Sequence, residues 1–383
     1  MRAAAAGSRL RIAFCVDSLD VGGTEQNMFR QAERLDRDRF DLVVLHGRGG
    51  PLLARLHGAG VRTVATDFPS FRSLRSLRAA RALRRWFLQE DVAVVHAHDI
   101  YSNVLAAMAL TPRGPSALIV SRRWGPAHYG RALTWANRLA YARADAVLAN
   151  SAGVATSLAT DEGVDPSRVT VIPNFGDERL FAPAEAGARE ALRSMLGVSA
   201  DALIVGSIAN LYPVKDQGTL LRAVASLPPL PQPVHVVLIG EGENRAMLEA
   251  LARELGIEER VHLSGSIADA GRFHRAFDVS TLTSLSEGFP NTLVEAMAAS
   301  RAIVATAVGG VADAVVDGET GYLVAPRDYR ALAERLGALL TDPSLRARMG
   351  TAGLARARQQ FHPGVVMPTL EALYARLAQA HRR

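Results

Sequence analysis

The feature that most constrains this chain is an alternation of short β-branched runs with helical stretches, which stops once and then restarts. "LRIAFCV" (10–16) reads as a buried strand, followed by the glycine turn "VGGTEQ" (21–26) and a helix to Leu35. Further strands are expected at 40–46, 61–67, 91–98, 116–121, 144–151 and 168–174, with helices at 71–90 and 103–110. Apolar runs separated by helices indicate parallel crossover units. The stretch 173–189 carries Pro and Gly, has no clear period and reads as a linker. Beyond it, strands return at 202–209, 234–240, 260–265, 277–283, 301–306 and 320–324, with helices at 216–226, 243–255, 328–341 and on to the end. The expectation is an α/β chain of two doubly wound domains, 1–180 and 190–365, with a ligand held between them. The chain has 383 residues, 49% of them hydrophobic, which is enough for two cores.

A net charge of +6 favours anionic partners without choosing among nucleotides, phospholipid surfaces and nucleic acid. No RNA- or DNA-binding module is visible, so a nucleic-acid binder rests on charge alone and no nucleic-acid partner is expected. No run is apolar and long enough to span a bilayer, and the start "MRAAAAGSRLRIAF" lacks the apolar region of a signal peptide. Cys15 is the single cysteine, so no intrachain disulfide is possible and a cytoplasmic setting is expected.

"SEGFPNTLVEA" (286–296) follows the strand pattern "VSTLTS" and leads into a helix. A helix start beyond the carboxyl end of a strand offers backbone N–H groups and a positive dipole end, so Asn291, Thr292 and Leu293 form a candidate diphosphate seat. The carboxylates of Glu287 and Glu295 repel phosphate but accept bonds from sugar hydroxyls. A nucleotide-sugar satisfies both demands. Taken alone, the pair also reads as a loop charge and a solvated helix residue.

At these residues "EGFPNTLVE" resembles the E-x7-E motif of the retaining, GT-B-fold glycosyltransferase family 4. "VGGTEQ", "VVHAHD", "VLANS", "VIPNFGDERLF", "SIANLYPVKDQGTLLRA", "LIGEGENRAMLEALARELGIEERVHLSG" and "VATAVGGVADAVVDGETGYLV" fall in that family's order, covering residues 10–340. The resemblance implies two Rossmann-like domains facing each other across a cleft, the donor held mainly by the C-terminal one. It also implies a last helix, 366–383, packed back on the N-terminal domain. The reaction it implies is transfer of a sugar from a nucleotide-diphosphate sugar to a glycan or lipid-linked acceptor of the cell envelope. Configuration would be retained, with no cofactor and no metal. Lys215 would neutralise the diphosphate, Glu287 bind the transferred sugar and Glu295 the ribose. Gly22, Gly23, Asn210, Gly288, Phe289, Pro290, Asn291, Thr292 and Leu293 would complete the donor contacts. A GT-B nucleotide-sugar 2-epimerase shares the fold and is the alternative chemistry.

Two departures from that family bear on the site. Asn210 stands where the family has an Arg, which leaves Lys215 as the clearest cation for the diphosphate. In "VSRRW", Arg123 stands at a histidine position and is a candidate catalytic cation, with Arg122, His98 and Glu25 on the acceptor side. The arginines and Glu25 have structural alternatives: Arg122 and Arg123 pairing with loop carboxylates, Glu25 a helix-start charge. His96 and His98 have no clear third ligand and do not read as a metal site. The 71–88 segment carries Arg72, Arg75, Arg78, Arg81, Arg84 and Arg85 among Leu77, Leu83, Trp86 and Phe87. It reads either as a surface for an anionic membrane or as a sheet-covering helix with a solvated face.

Overall fold

A computed structural model describes residues 9–67, 73–112, 114–123, 130–182 and 187–382. The chain divides into two units, Met1–Asn174 with Gly364–Arg383, and Phe175–Pro363.

The first unit is built on parallel strands β1 (Leu10–Ser18), β2 (Phe40–Arg48), β3 (Arg62–Ala65), β4 (Val94–Ala97), β5 (Ala117–Arg122), β6 (Ala146–Ala149) and β7 (Val169–Val171), in the order β3-β2-β1-β4-β5-β6-β7. In β1, Ile12, Ala13, Phe14 and Val16 are all fully buried, because helices cover both sheet faces. Phe14 lies between Val44 and His96 in register. The helix Leu74–Gln89 packs Ala80, Leu83 and Phe87 inward and turns Arg75, Arg78, Arg81, Arg84 and Arg85 out; Arg72 lies outside the described residues. The last helix, Pro363–Arg382, belongs to this unit from Gly364 on, with Leu370 and Tyr374 fully buried.

The second unit repeats the plan with β8 (Leu203–Ile208), β9 (Val234–Ile239), β10 (Val261–Leu263), β11 (Val279–Leu282), β12 (Ala302–Thr306) and β13 (Tyr322–Val324), ordered β10-β9-β8-β11-β12-β13. The stretch 173–189 is not a linker throughout. From Phe175 it folds with this unit, where Phe175, Leu180 and Phe181 are buried, and a helix starts at Ala188. Its Pro and Gly content hid apolar anchors that pack far along the chain, such as Phe181 edge-on against His362.

In each sheet the strand order reverses at one place, between β1 and β4 and between β8 and β11. Loops leaving the carboxyl ends of such strands diverge and open a crevice for ligands. "VGGTEQ" and "HD" leave β1 and β4; "ANLYPVK" and "TSLSEGFP" leave β8 and β11.

Candidate active site

In the second unit the two central loops are laced together. Lys215 ends a 3-10 turn, Pro213–Lys215. Leu285 N–H donates to Val214 O at 2.8 Å, and Thr283 Oγ1 donates to Lys215 O at 3.0 Å. This lacing brings Lys215 Nζ to 2.5 Å from Glu287 Oε1. Ser284 Oγ donates to the same oxygen at 2.6 Å. Both charged side chains are largely buried, at 22% and 11% exposure. Glu287 Oε1 therefore carries two donors, while Oε2 has no hydrogen-bond partner among the described residues. A third loop closes in from β12. Gly309 has φ of 48°, and a Cβ there would collide with the Glu287 carbonyl oxygen, so only glycine fits.

The helix Asn291–Ala298 starts at Pro290 without a side-chain cap. Asn291 N–H donates to Phe289 O at 3.1 Å and Leu293 N–H to Pro290 O at 3.0 Å, so these two amides of the expected diphosphate seat are turned onto the loop itself. The side chains of Phe289 and Leu293 turn inward. Phe289 is 6% exposed and meets Phe361 edge-on at 5.4 Å; Leu293 is fully buried beside it. Their side chains are core, because the apolar period of the helix begins inside the loop. Gly288 and Pro290 are buried as well, whereas Asn210 is exposed, its carbonyl accepting from Gln217 Nε2 at 3.0 Å. Glu295 is half-buried, and a Cβ on Gly271 would come within 3.1 Å of its Oε2.

The sequence reading missed His274. Its Nε2 lies 3.2 Å from Thr292 Oγ1 and its Nδ1 3.0 Å from Ser280 Oγ, so it ties the helix start to β11. Burial, with Arg301 nearby, lowers its pKa to about 3 and keeps the ring neutral. Nothing in "GRFHRAF" marks it, since its partners lie 6 and 18 residues on.

The first unit gathers another polar cluster. Gly22 caps the helix Gly23–Arg34, and a Cβ there would strike the Glu25 carboxylate. Burial, with Asp99 nearby, raises the Glu25 pKa, and Arg123 works against that rise. Asp99 caps the helix Ile100–Ala109 and also accepts Asp17 N–H at 2.7 Å, while the Asp17 side chain pairs with Arg48. Arg123 Nη2 lies 2.9 Å from His98 Nδ1, and Nη1 donates to Asn174 Oδ1 at 3.3 Å. His98 stacks on His96 at 4.0 Å. His96 joins Tyr374 OH at 2.7 Å and Ser121 Oγ at 2.8 Å. Burial above all holds both imidazoles well below their usual pKa. Arg122 is paired elsewhere. Alternation along β5 turns it away from Arg123, into an ion pair with Glu162 at 3.0 Å with both side chains under 10% exposed. This is the structural alternative, an arginine paired with a carboxylate. Among the described residues, no three His, Cys, Asp or Glu side chains are grouped to hold a metal ion.

The family described as "Glycosyl transferases group 1" matches residues 188–356, and the "Glycosyl transferase 4-like domain" matches residues 22–174. The D-inositol 3-phosphate glycosyltransferase of Stackebrandtia nassauensis is 32% identical over 276 residues, 64% of this chain and 62% of that protein. The Streptomyces scabiei protein of the same name is 35% identical over 252 residues, 63% of this chain and 56% of its own. The chain thus spans rather more than half the length of these relatives. Among solved structures, Anabaena Alr3699/HepE in complex with UDP-glucose is 25% identical, with a TM-score of 0.82, over 97% of this chain and 100% of that one. Sucrose-phosphate synthase from Thermosynechococcus elongatus, at 21% identity and a TM-score of 0.81 over 97% and 100%, shares the fold. The fold is GT-B, and the chain belongs to the family 4 type of GT-B glycosyltransferases.

Proposed function

We propose that this protein transfers a sugar from a uridine-diphosphate sugar to a hydroxyl of a glycan or lipid-linked acceptor in the cell envelope, with retention of configuration and without a metal or other cofactor. The Lys215–Glu287 pair at the β8/β11 switch point carries the reading. Lys215 retains donors beyond its bond to Glu287, and an ammonium fixed in a partly buried site stabilises the charge that develops on a departing diphosphate. Glu287 Oε2 is available for a sugar hydroxyl, while Oε1 is held by Lys215 and Ser284. HepE, solved with UDP-glucose, supports the choice of base and donor class. The named inositol-phosphate glycosyltransferases support a polar hydroxylated acceptor. Arg123 stays protonated and cannot serve as base, so in this reading the leaving diphosphate oxygen takes the acceptor proton.

No helix among the described residues is long and apolar enough to cross a membrane. On the helix Leu74–Gln89, the exposed Arg78, Arg81, Arg84 and Arg85 flank the exposed Leu77 and Leu88, which supports peripheral binding to an anionic cytoplasmic membrane face.

The test is a panel of UDP- and GDP-sugars, read first by thermal shift and then by mass analysis of products. UDP-sugars should stabilise the protein and yield UDP with a glycosylated acceptor. Return of the nucleotide-sugar as its epimer, or stabilisation by no nucleotide-sugar, would overturn the reading.

A further inference from the structure

The second unit holds a cavity of about 290 Å³ that lies away from the Lys215–Glu287 pair. Asp278 immediately precedes β11 and Ser300–Ala302 lead into β12, so the cavity sits at the amino ends of these strands. The loops that hold Lys215 and Glu287 leave the opposite, carboxyl ends.

Three arginines from three elements wall it. Arg189 comes from the first turn of the helix Ala188–Leu196, Arg301 from the turn before β12, and Arg346 from the first turn of the helix Pro343–Gln360. Pro343, Ala347 and Thr351 carry the wall along one face of the helix Pro343–Gln360. Each guanidinium is anchored by part of its donors. Arg189 Nη2 donates to Asp278 Oδ1 at 2.9 Å. Arg301 donates through Nε to Ala299 O at 3.0 Å and through Nη1 to Phe277 O at 3.3 Å. Arg346 Nη1 donates to Leu339 O at 2.5 Å and Leu340 O at 3.0 Å. The Nη2 groups of Arg301 and Arg346 have no partner among the described residues.

Asp278 is the one acid in the wall, and its carboxylate is already shared by Arg189, by Ile204 N–H at 2.8 Å and by Arg193 at 3.7 Å. Asp342, next to Pro343, is turned to cap Leu345 N–H at 2.9 Å. The wall of this open polar cavity thus holds three cations against one carboxylate, and that carboxylate is already divided. Burial depresses the Arg301 pKa; Asp278 nearby works against that fall, and Arg189 and Arg275 add to it.

We propose that this cavity is a second ligand site, remote from the donor motif, that binds a phosphoryl dianion. Forked guanidiniums held from the backbone side match the tetrahedral oxygens of phosphate, and Ser300 and Thr351 add hydroxyl side chains to the same wall. The volume lies at the lower edge of small-molecule pockets, about 300 Å³, which suits phosphate or the phosphate ester of a small metabolite.

The full chain is titrated with inorganic phosphate and with glycerol phosphate at ionic strength matched by chloride, and thermal shift is read together with calorimetry. Ala347→Glu sets a carboxylate on the exposed helix face in the wall without removing a contact. Arg189→Gln, at a partly exposed side chain, is the second variant should the first fold poorly. Saturable stabilisation is expected in the wild type and equally in Lys215→Ala, with at least tenfold weaker binding in Ala347→Glu and Arg189→Gln. A larger response to the ester marks a phosphorylated metabolite as the ligand, and an equal response marks phosphate itself. Equal binding by the wall variants, loss of binding in Lys215→Ala with retention in the wall variants, or no saturable response beyond chloride would each overturn the proposal. The Lys215→Ala arm separates this site from the donor reading.

Discussion

Arg123 Nη2 lies 2.9 Å from His98 Nδ1, and this bond runs in one direction. A guanidinium only donates, so Nδ1 accepts and the neutral ring carries its proton on Nε2. That Nε2 is buried and without a partner among the described residues. Arg123 keeps its charge at neutral pH, since burial lowers its pKa only to about 10. Arg123→Ala should release the tautomer, and nitrogen NMR of the His98 ring should show a mixture where the wild type shows one form. Arg123→Lys should retain the tautomer and part of the activity; Arg123→His should restore neither. A His98 spectrum unchanged in Arg123→Ala would show that the bond does not set the ring.

In the proposed reading Lys215 and Glu287 serve the chemistry and Glu295 the nucleotide, a division that substitution can test. Lys215→Ala should lower turnover by a factor of about 100 or more, the usual cost of one preorganised charge at a developing anion, about 3 kcal/mol. Glu287→Ala should lower turnover and blur sugar selection, whereas Glu295→Ala should mainly weaken nucleotide affinity. Calorimetry with free UDP decides the division. If Glu287→Ala alone weakens UDP binding, the two roles are reversed.

Gly309→Ala should act through Glu287 without touching a ligand. The positive φ and the collision with the Glu287 carbonyl must both be relieved by moving one loop. A loss of more than about 1 kcal/mol in urea unfolding is expected, with reduced turnover and normal UDP affinity. Wild-type stability and turnover together would show that the loop yields freely.

Much of this fold was legible because parallel strands buried on both faces cannot hide: "LRIAFCV" and "VHVVLIG" stand out against their flanks. The helices Leu52–Gly58, Arg131–Arg143 and Ala152–Thr160 did not, being short or rich in small residues. The loop with Glu287 and its cation Lys215 could be found from spacing and resemblance. Phe289 could not be sorted from its neighbours, because a ligand-facing and a core-facing aromatic look alike until Phe361 is seen beside it. His96 with Tyr374 was beyond reach for a related reason, since the partners are separated by 278 positions and no local pattern links them.

If the helix Leu74–Gln89 lies on membrane, replacing Arg78, Arg81 and Arg84 by Gln should release the protein from anionic liposomes. Turnover on a soluble acceptor should be unchanged, because these side chains point out from the sheet. Binding by the wild type should weaken as salt rises. Equal sedimentation of the two proteins with anionic liposomes would favour a merely solvated face.

His274 gives a pH dependence whose sign can be worked out. Its pKa is about 3 in the folded protein, against an ordinary value of 6.5. Above pH 6.5 the ring is neutral in both the folded and the unfolded chain and contributes no slope. Between 6.5 and 3 the unfolded chain binds a proton that the folded chain refuses, so stability falls as pH falls, by about 1.4 kcal/mol per unit for one group. His96 and His98 act in the same sense; Glu25 and Asp99, whose pKa values are raised by burial, act in the opposite one. His274→Asn keeps an amide to bond Ser280 and Thr292 but cannot titrate, and the other groups cancel in the comparison. Urea unfolding at pH 6, 5 and 4 should show the variant losing about 1.4 kcal/mol less per unit than the wild type. Parallel slopes would mean that the ring protonates in the folded state, and that its bonds to Ser280 and Thr292 do not depend on neutrality.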